Sequence, residues 1–246
     1  MMLLGLSSAA APDATLDVLL AAAERRGLAV LELRDGDAHG VVPGDGGASA
    51  RTAVERAAAA EVALSGYRSA QVAHDLALAR LSYALGAPVI LDGRDDVATR
   101  IDRARQMVAA GGDVAVVVRG DSVADDAALV AAAGLALAWD ANPTFGLLGA
   151  TAESLLQRYP GELRHIRLIG GGPEIEMHHG KGVGELMRRL ALARYAGTLI
   201  LAPSTPGYRV AWRNWLGYRR GWGCGSKTTG SSLVHLNDQA TAGGKA

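Results

Sequence analysis

The segment from His165 to Ser204, HIRLIGGGPEIEMHHGKGVGELMRRLALARYAGTLILAPS, narrows the folds open to this chain more than any other. His165 to Ile169 is a short apolar run interrupted by Arg167, and Gly170, Gly171, Gly172 and Pro173 stop it, because such residues end a strand and form a tight loop. Leu186, Leu190 and Ala193 then recur at helical spacing between Val183 and Tyr195, and Gly197 is placed to stop that helix. Thr198 to Ala202 reads as a second buried strand. Two strands joined by a helix of this length form a right-handed parallel crossover.

The same unit recurs along the chain. Expected strands begin with Leu3 to Ser7, Ala29 to Leu33, Val62 to Leu64 and Pro88 to Leu91, and continue with Val114 to Val118 and Leu135 to Trp139. Helical spacing predicts a helix after each, starting near Thr15, Ser49, Ala70, Val97, Ser122 and Leu147. Eight strand–helix units in a chain of 246 residues are the count of a closed (βα)8 TIM barrel, an α/β fold, spanning 1–222 as one domain. A doubly wound open sheet is the alternative. Tyr208, Trp212, Trp215 and Leu216 are expected to close the barrel as its last helix, or to serve as a partner-binding stripe. The Gly-, Ser- and Thr-rich remainder, 223–246, is expected to be a flexible tail.

Lys plus Arg and Asp plus Glu are 25 each, so no global charge draws the chain to nucleic acid or an anionic membrane. No apolar run approaches the roughly 18 residues that span a bilayer, and the start lacks a basic leader, so a cytoplasmic protein is expected. The single cysteine, Cys224, excludes an intramolecular disulfide and a multi-cysteine zinc site. Oligomeric state is not legible.

In such barrels the active site lies at the C-terminal ends of the strands. The residues there include Arg34, Arg68, Asp92 with Arg94, Arg119, Asp140 and Arg167. A crown of arginines on one face is suited to capture phosphate or carboxylate in two-pronged hydrogen bonds. The alternative is a structural ring in which the same arginines pair with Glu32, Asp35, Asp92, Asp121 and Asp140. Glu32 is expected on the side of its strand opposite Arg34. Gly170, Gly171 and Gly172 offer backbone amides to an anion, or merely a tight turn, and His178, His179 and Lys181 belong to the same loop.

The strand, loop, Gly180-Lys181-Gly182, helix and final YAGTLILA run resemble the last third of the xylose-isomerase-like TIM-barrel superfamily, which comprises sugar-phosphate isomerases and epimerases and their AP-endonuclease relatives. The resemblance implies metal ligands at four strand ends: Glu on the fifth, Asp followed three residues later by His on the sixth, His on the seventh and Glu on the eighth. Those places hold Arg119, Asp140 with Pro143, Arg167 and Ala202, so only Asp140 matches and no tightly held divalent metal or other cofactor is expected. Glu32 and His39 also resemble family positions, but they do not replace three lost ligands.

The function expected is that of a sugar-phosphate isomerase or epimerase acting on a small anionic sugar or sugar phosphate. Asp140 would be the base and Arg119 and Arg167 the electrophilic clamp; Arg34, Arg68, Arg94, Gly170, Gly171, Gly172, His178 and Lys181 would bind the substrate. The alternative is a barrel that has lost catalysis and binds an anion or a protein. DNA cleavage of the AP-endonuclease kind is disfavoured, since it needs the missing metal ligands.

Overall fold

A computed structural model describes residues 2–70, 75–93, 95–142, 148–170 and 180–203. Arg94, Gly171, Gly172, His178, His179, Cys224, the Tyr208 to Leu216 stripe and the 223–246 tail lie outside them. Eight parallel strands close into one barrel in sequence order. They are β1 (Leu3–Ser7), β2 (Val30–Arg34), β3 (Ala63–Ser69), β4 (Val89–Leu91), β5 (Val114–Arg119), β6 (Ala136–Ala141), β7 (Leu163–Gly170) and β8 (Thr198–Pro203). Seven helices are described: α1 (Leu16–Arg25), α2 (Ala48–Ala59), α3 (Asp75–Leu85), α4 (Val97–Ala109), α5 (Val123–Ala132), α6 (Leu148–Arg158) and α7 (Gly180–Leu192). The open doubly wound sheet is thereby excluded, because β1 pairs with β8 from Leu3↔Thr198 to Leu6↔Leu201.

Strand alternation separates two packed regions. Val114, Val116, Val118, Leu137, Trp139, Ile166, Leu199 and Leu201 face outward into the layer shared with the helices. Ile90, Ala115, Val117, Ala136 and Ala138 form a second cluster inside the barrel. Small residues dominate that interior, which leaves room above them for long polar side chains. Gly5 extends this: a Cβ there would lie 2.5 Å from the Val30 carbonyl oxygen and 2.7 Å from Ile200 Cδ1.

Two of the expected boundaries need correction. β3 runs on through Gly66, Tyr67, Arg68 and Ser69, so Arg68 is within the strand rather than behind it. Gly66 fits inside a strand because its missing Cβ would otherwise come within 2.7 Å of Ile90 Cδ1. The seventh helix starts at Gly180 and ends at Leu192, and the stop is Arg194, not Gly197. Arg194 takes a left-handed backbone (φ 51°), and the amide of Tyr195 bonds the Leu190 carbonyl at 2.9 Å.

Register shifts decide which side chains enter the barrel. β2 pairs Leu31↔Leu64 and then Glu32↔Gly66, so Ser65 is an extra residue; β6 pairs Leu137↔Leu163 and then Ala138↔His165, which makes Arg164 extra. A one-residue bulge exchanges the two faces of everything after it. Leu64 and Leu163 therefore point to the helices, whereas Arg68, His165 and Arg167 point inward.

Candidate active site at the C-terminal mouth

β5, β6 and β7 present Arg119, Asp140 and Arg167 at one level, because Arg119↔Asp140 and Asp140↔Arg167 are register partners. Gly120, with φ 68°, turns the chain out of the barrel directly after Arg119. Arg68 reaches the same level from β3. Its Nη1 donates to Asp140 Oδ1 at 2.9 Å and its Nη2 to Asp140 Oδ2 at 2.5 Å, while its Nε donates to Asp92 Oδ2 at 2.8 Å. Asp92 is also held by Arg119, whose Nη2 lies 2.7 Å from Oδ1 and 2.6 Å from the Gly93 carbonyl oxygen.

A second group lies beside the first. Glu32 is fully buried, and its Oε2 is 2.9 Å from His165 Nε2. Its Oε1 is 3.1 Å from Arg167 Nε, close enough for an ion pair but not aligned as a hydrogen bond, so both atoms stay without a hydrogen-bond partner. Arg167 Nη2 donates to Ser7 Oγ at 3.3 Å, and His165 Nδ1 meets Thr198 Oγ1 at 2.7 Å. The expectation that Glu32 would face away from Arg34 fails, since residues two apart in a strand share a face.

The arginines stand in a paired network, as in the ring that was the alternative, with Glu32, Asp92 and Asp140 of its five acids as partners, while Asp35 accepts from Tyr67 Oη instead. Arg68, Arg119 and Arg167 are matched by Glu32, Asp92 and Asp140, three charges against three. Arg34 pairs with Asp37 at 2.6 Å, and Asp37 also accepts from Ser8 Oγ at 2.6 Å. Two arginines keep substantial exposure: the side chains of Arg34 and Arg119 are 43% and 39% accessible, against 2% for Arg68 and 9% for Arg167.

These pairings set the ionisation of the site. Burial alone would raise the Asp92 carboxyl, but Arg68 and Arg119 outweigh it and hold the group below its ordinary value. Burial likewise opposes charge on Glu32, and the Arg167 guanidinium with the His165 hydrogen bond keeps it far below the usual carboxylate range. Arg68 shows the complement: burial disfavours its charge, and Asp140, Glu32 and Asp92 more than compensate, raising it.

The expected site residues fall in different places. Asp140 is only 3% exposed and both its oxygens are engaged by Arg68, so it is not presented to a substrate as an open base. Trp139 beside it packs outward among the helices. Gly170 ends β7 opposite Pro203, and Lys181 falls in the first turn of α7. His39 is buried in the loop after β2, where Nε2 bonds the Arg34 carbonyl at 2.7 Å and Nδ1 accepts from the Val41 amide at 3.1 Å. Burial lowers its proton affinity, which fits this neutral form. His165 was missed as a member of the site; its signal was only a histidine in a buried strand.

Glu32, Asp92 and Asp140 are each committed to a guanidinium, and among the described residues no group of three or more His, Cys, Asp or Glu side chains gathers to hold an ion. No described helix is long and apolar enough to cross a membrane.

No family model matches the chain, and no curated protein matches it in sequence. Solved structures do match in fold. A D-psicose 3-epimerase from Clostridium cellulolyticum H10, solved with D-tagatose, is 14% identical over 90% of this chain and 91% of its own, with a TM-score of 0.59. A sugar phosphate isomerase/epimerase from Parabacteroides distasonis is 11% identical over 89% and 96%, at 0.59. A xylose isomerase domain protein from Salmonella typhimurium LT2 is 12% identical over 89% and 93%, at 0.56. This chain therefore has the fold of the xylose-isomerase-like sugar isomerase and epimerase barrels.

Proposed function

We propose that this barrel binds a small anionic sugar derivative at its C-terminal mouth, without a tightly held metal. The observation that carries the proposal is the state of Arg119. Its Nη2 is fixed by Asp92 and the Gly93 carbonyl and its Nη1 lies 4.0 Å from Asp140 Oδ2, yet two-fifths of the side chain remains open at the end of β5. A pre-positioned arginine with an exposed edge is suited to a phosphate or carboxylate and loses little freedom in binding it. Arg34, held by Asp37 and also exposed, supplies a second cation on the β2 side. Arg68 and Arg167 are assigned to the scaffold, since their charge is already matched inside the barrel.

The likeness to sugar isomerases and epimerases supports a sugar as the ligand, by analogy of fold. A second reading, a barrel that binds such a ligand and turns nothing over, is favoured by one observation. The strand-end carboxylates Glu32, Asp35, Asp37, Asp92 and Asp140 each already have a partner. Proton abstraction next to a carbonyl requires a base within reach of the substrate.

The test is a thermal-shift comparison on chelator-treated protein, followed by NMR in heavy water. A sugar phosphate or sugar acid is expected to raise the Tm where the neutral sugar does not, as binding to the folded state requires. Deuterium entering the carbon beside the carbonyl identifies an isomerase-like enzyme, and stabilisation without exchange identifies the binding module. Failure of every anionic sugar to stabilise the protein would overturn the proposal.

A further inference from the structure

We propose that Arg68 is the barrel's built-in cation: its guanidinium fills the space between Asp92 and Asp140 that a divalent ion would need, and so closes the mouth to metal. The inference rests on Arg68 alone and does not require that the mouth bind a sugar.

Arg68 comes from β3, Asp92 follows β4 and Asp140 belongs to β6, so one side chain joins carboxylates from strands that are not neighbours. Three of its nitrogens are used: both Nη on the two oxygens of Asp140, and Nε on Asp92 Oδ2. Nη2 also lies 2.8 Å from Asp92 Oδ2. A planar fork can satisfy both acids at once, which a lysine ammonium cannot do in this geometry. The Arg68 and Asp140 side chains are each 2% exposed, so water does not share the contact between them.

Without this guanidinium, Asp92 and Asp140 would be two like charges sharing Arg119 alone, which lies 2.7 Å from Asp92 but 4.0 Å from Asp140, with the charge of buried Glu32 close enough to act on the same place. A second cation must sit there or one of the acids must take up a proton. While Arg68 is present, both Oδ2 atoms are turned toward it, and an added divalent ion would meet a positive charge at hydrogen-bond range. The protein thus carries on a side chain the charge that a metal site would draw from solution. Gly66, two residues before Arg68 on the same face of β3, and Ala138, two residues before Asp140 on β6, keep the layer next to the pair small.

Two variants test this. Arg68→Gly removes the cation and leaves a gap of its shape, and its Tm is measured with millimolar guanidinium chloride against sodium chloride. The expected result is a rise specific to guanidinium, absent from the wild type. Arg68→Gln keeps bulk and a donor amide without charge, which protects the test should the glycine variant not fold; Mn(II) binding to it is read by electron paramagnetic resonance. The glutamine variant is expected to bind Mn(II) more tightly than the wild type does, and to lose that gain with Asp140→Asn. A folded glycine variant indifferent to guanidinium would overturn the inference. So would a glutamine variant binding no more Mn(II) than the wild type, or a wild type holding a stoichiometric ion that Asp140→Asn removes.

Discussion

Arg68 and Asp140, 72 residues apart in sequence, meet inside the barrel through two parallel hydrogen bonds of 2.9 and 2.5 Å. They come from β3 and β6, strands that share no edge, so the pair ties opposite parts of the barrel wall. Both partners are almost wholly buried. A buried pair of this kind adds little net stability over an apolar pair of similar size, yet breaking one half leaves an uncompensated charge.

Arg68→Leu should accordingly cost about 3–5 kcal/mol, by stranding Asp140 and half of Asp92's partners. The double variant Arg68→Leu/Asp140→Leu should cost less than the sum of the two single changes, because the stranded acid goes with its partner. Denaturant unfolding of the four proteins measures this. Additive losses would show that the two groups do not act as a unit.

Arg119→Ala should behave differently. The side chain is 39% exposed and Asp92 keeps Arg68, so the loss of stability should be about 1 kcal/mol or less. A drop in Tm as large as that of Arg68→Leu would place Arg119 in the scaffold and remove it from the binding surface.

Acid should weaken the fold through Glu32 and Asp92. Both are held below their ordinary values of 4.5 and 3.8 in the folded chain, so the unfolded chain takes up protons first. Their contribution is complete above those values and drains away as pH falls toward the folded-state values. The Tm is expected to decline once pH passes below about 4.5. Glu32→Gln should lower the Tm at neutral pH and flatten that acid limb. An acid limb as steep as the wild type's would exclude Glu32 as a main source.

Gly5→Ala should destabilise by about 1–3 kcal/mol, since the new methyl would press on the Val30 carbonyl, which cannot swing aside as a side chain can. Gly161→Ala is the control, with nothing within 4 Å of its added Cβ. Equal Tm values for both would mean that the barrel interior is less tightly filled than its contacts indicate.

The strand and helix count was legible in the sequence because apolar period and glycine punctuation are local signals. Val114 to Val118 is a buried run in which every residue but Ala115 is β-branched, and Pro12, Gly27 and Gly134 mark where helices start or end. The site was only half legible. Which residues stand at the strand ends can be counted, but which side they face depends on the bulges at Ser65 and Arg164, and neither residue announces one. Partners 72 residues apart cannot be matched by spacing at all. The arginines were found as a set; that their charge is already answered by Glu32, Asp92 and Asp140 became visible only when the strands closed into a ring.

Calorimetric titration of a ketose phosphate into the wild type and Arg119→Ala, both in excess chelator, tests the central claim most directly. One charge-assisted hydrogen bond to an anion contributes about 1.5–3 kcal/mol, so the variant should bind roughly tenfold more weakly or worse while the wild type binds without metal. A wild type that binds only after a divalent cation is added, or a variant that binds as tightly as the wild type, would contradict it.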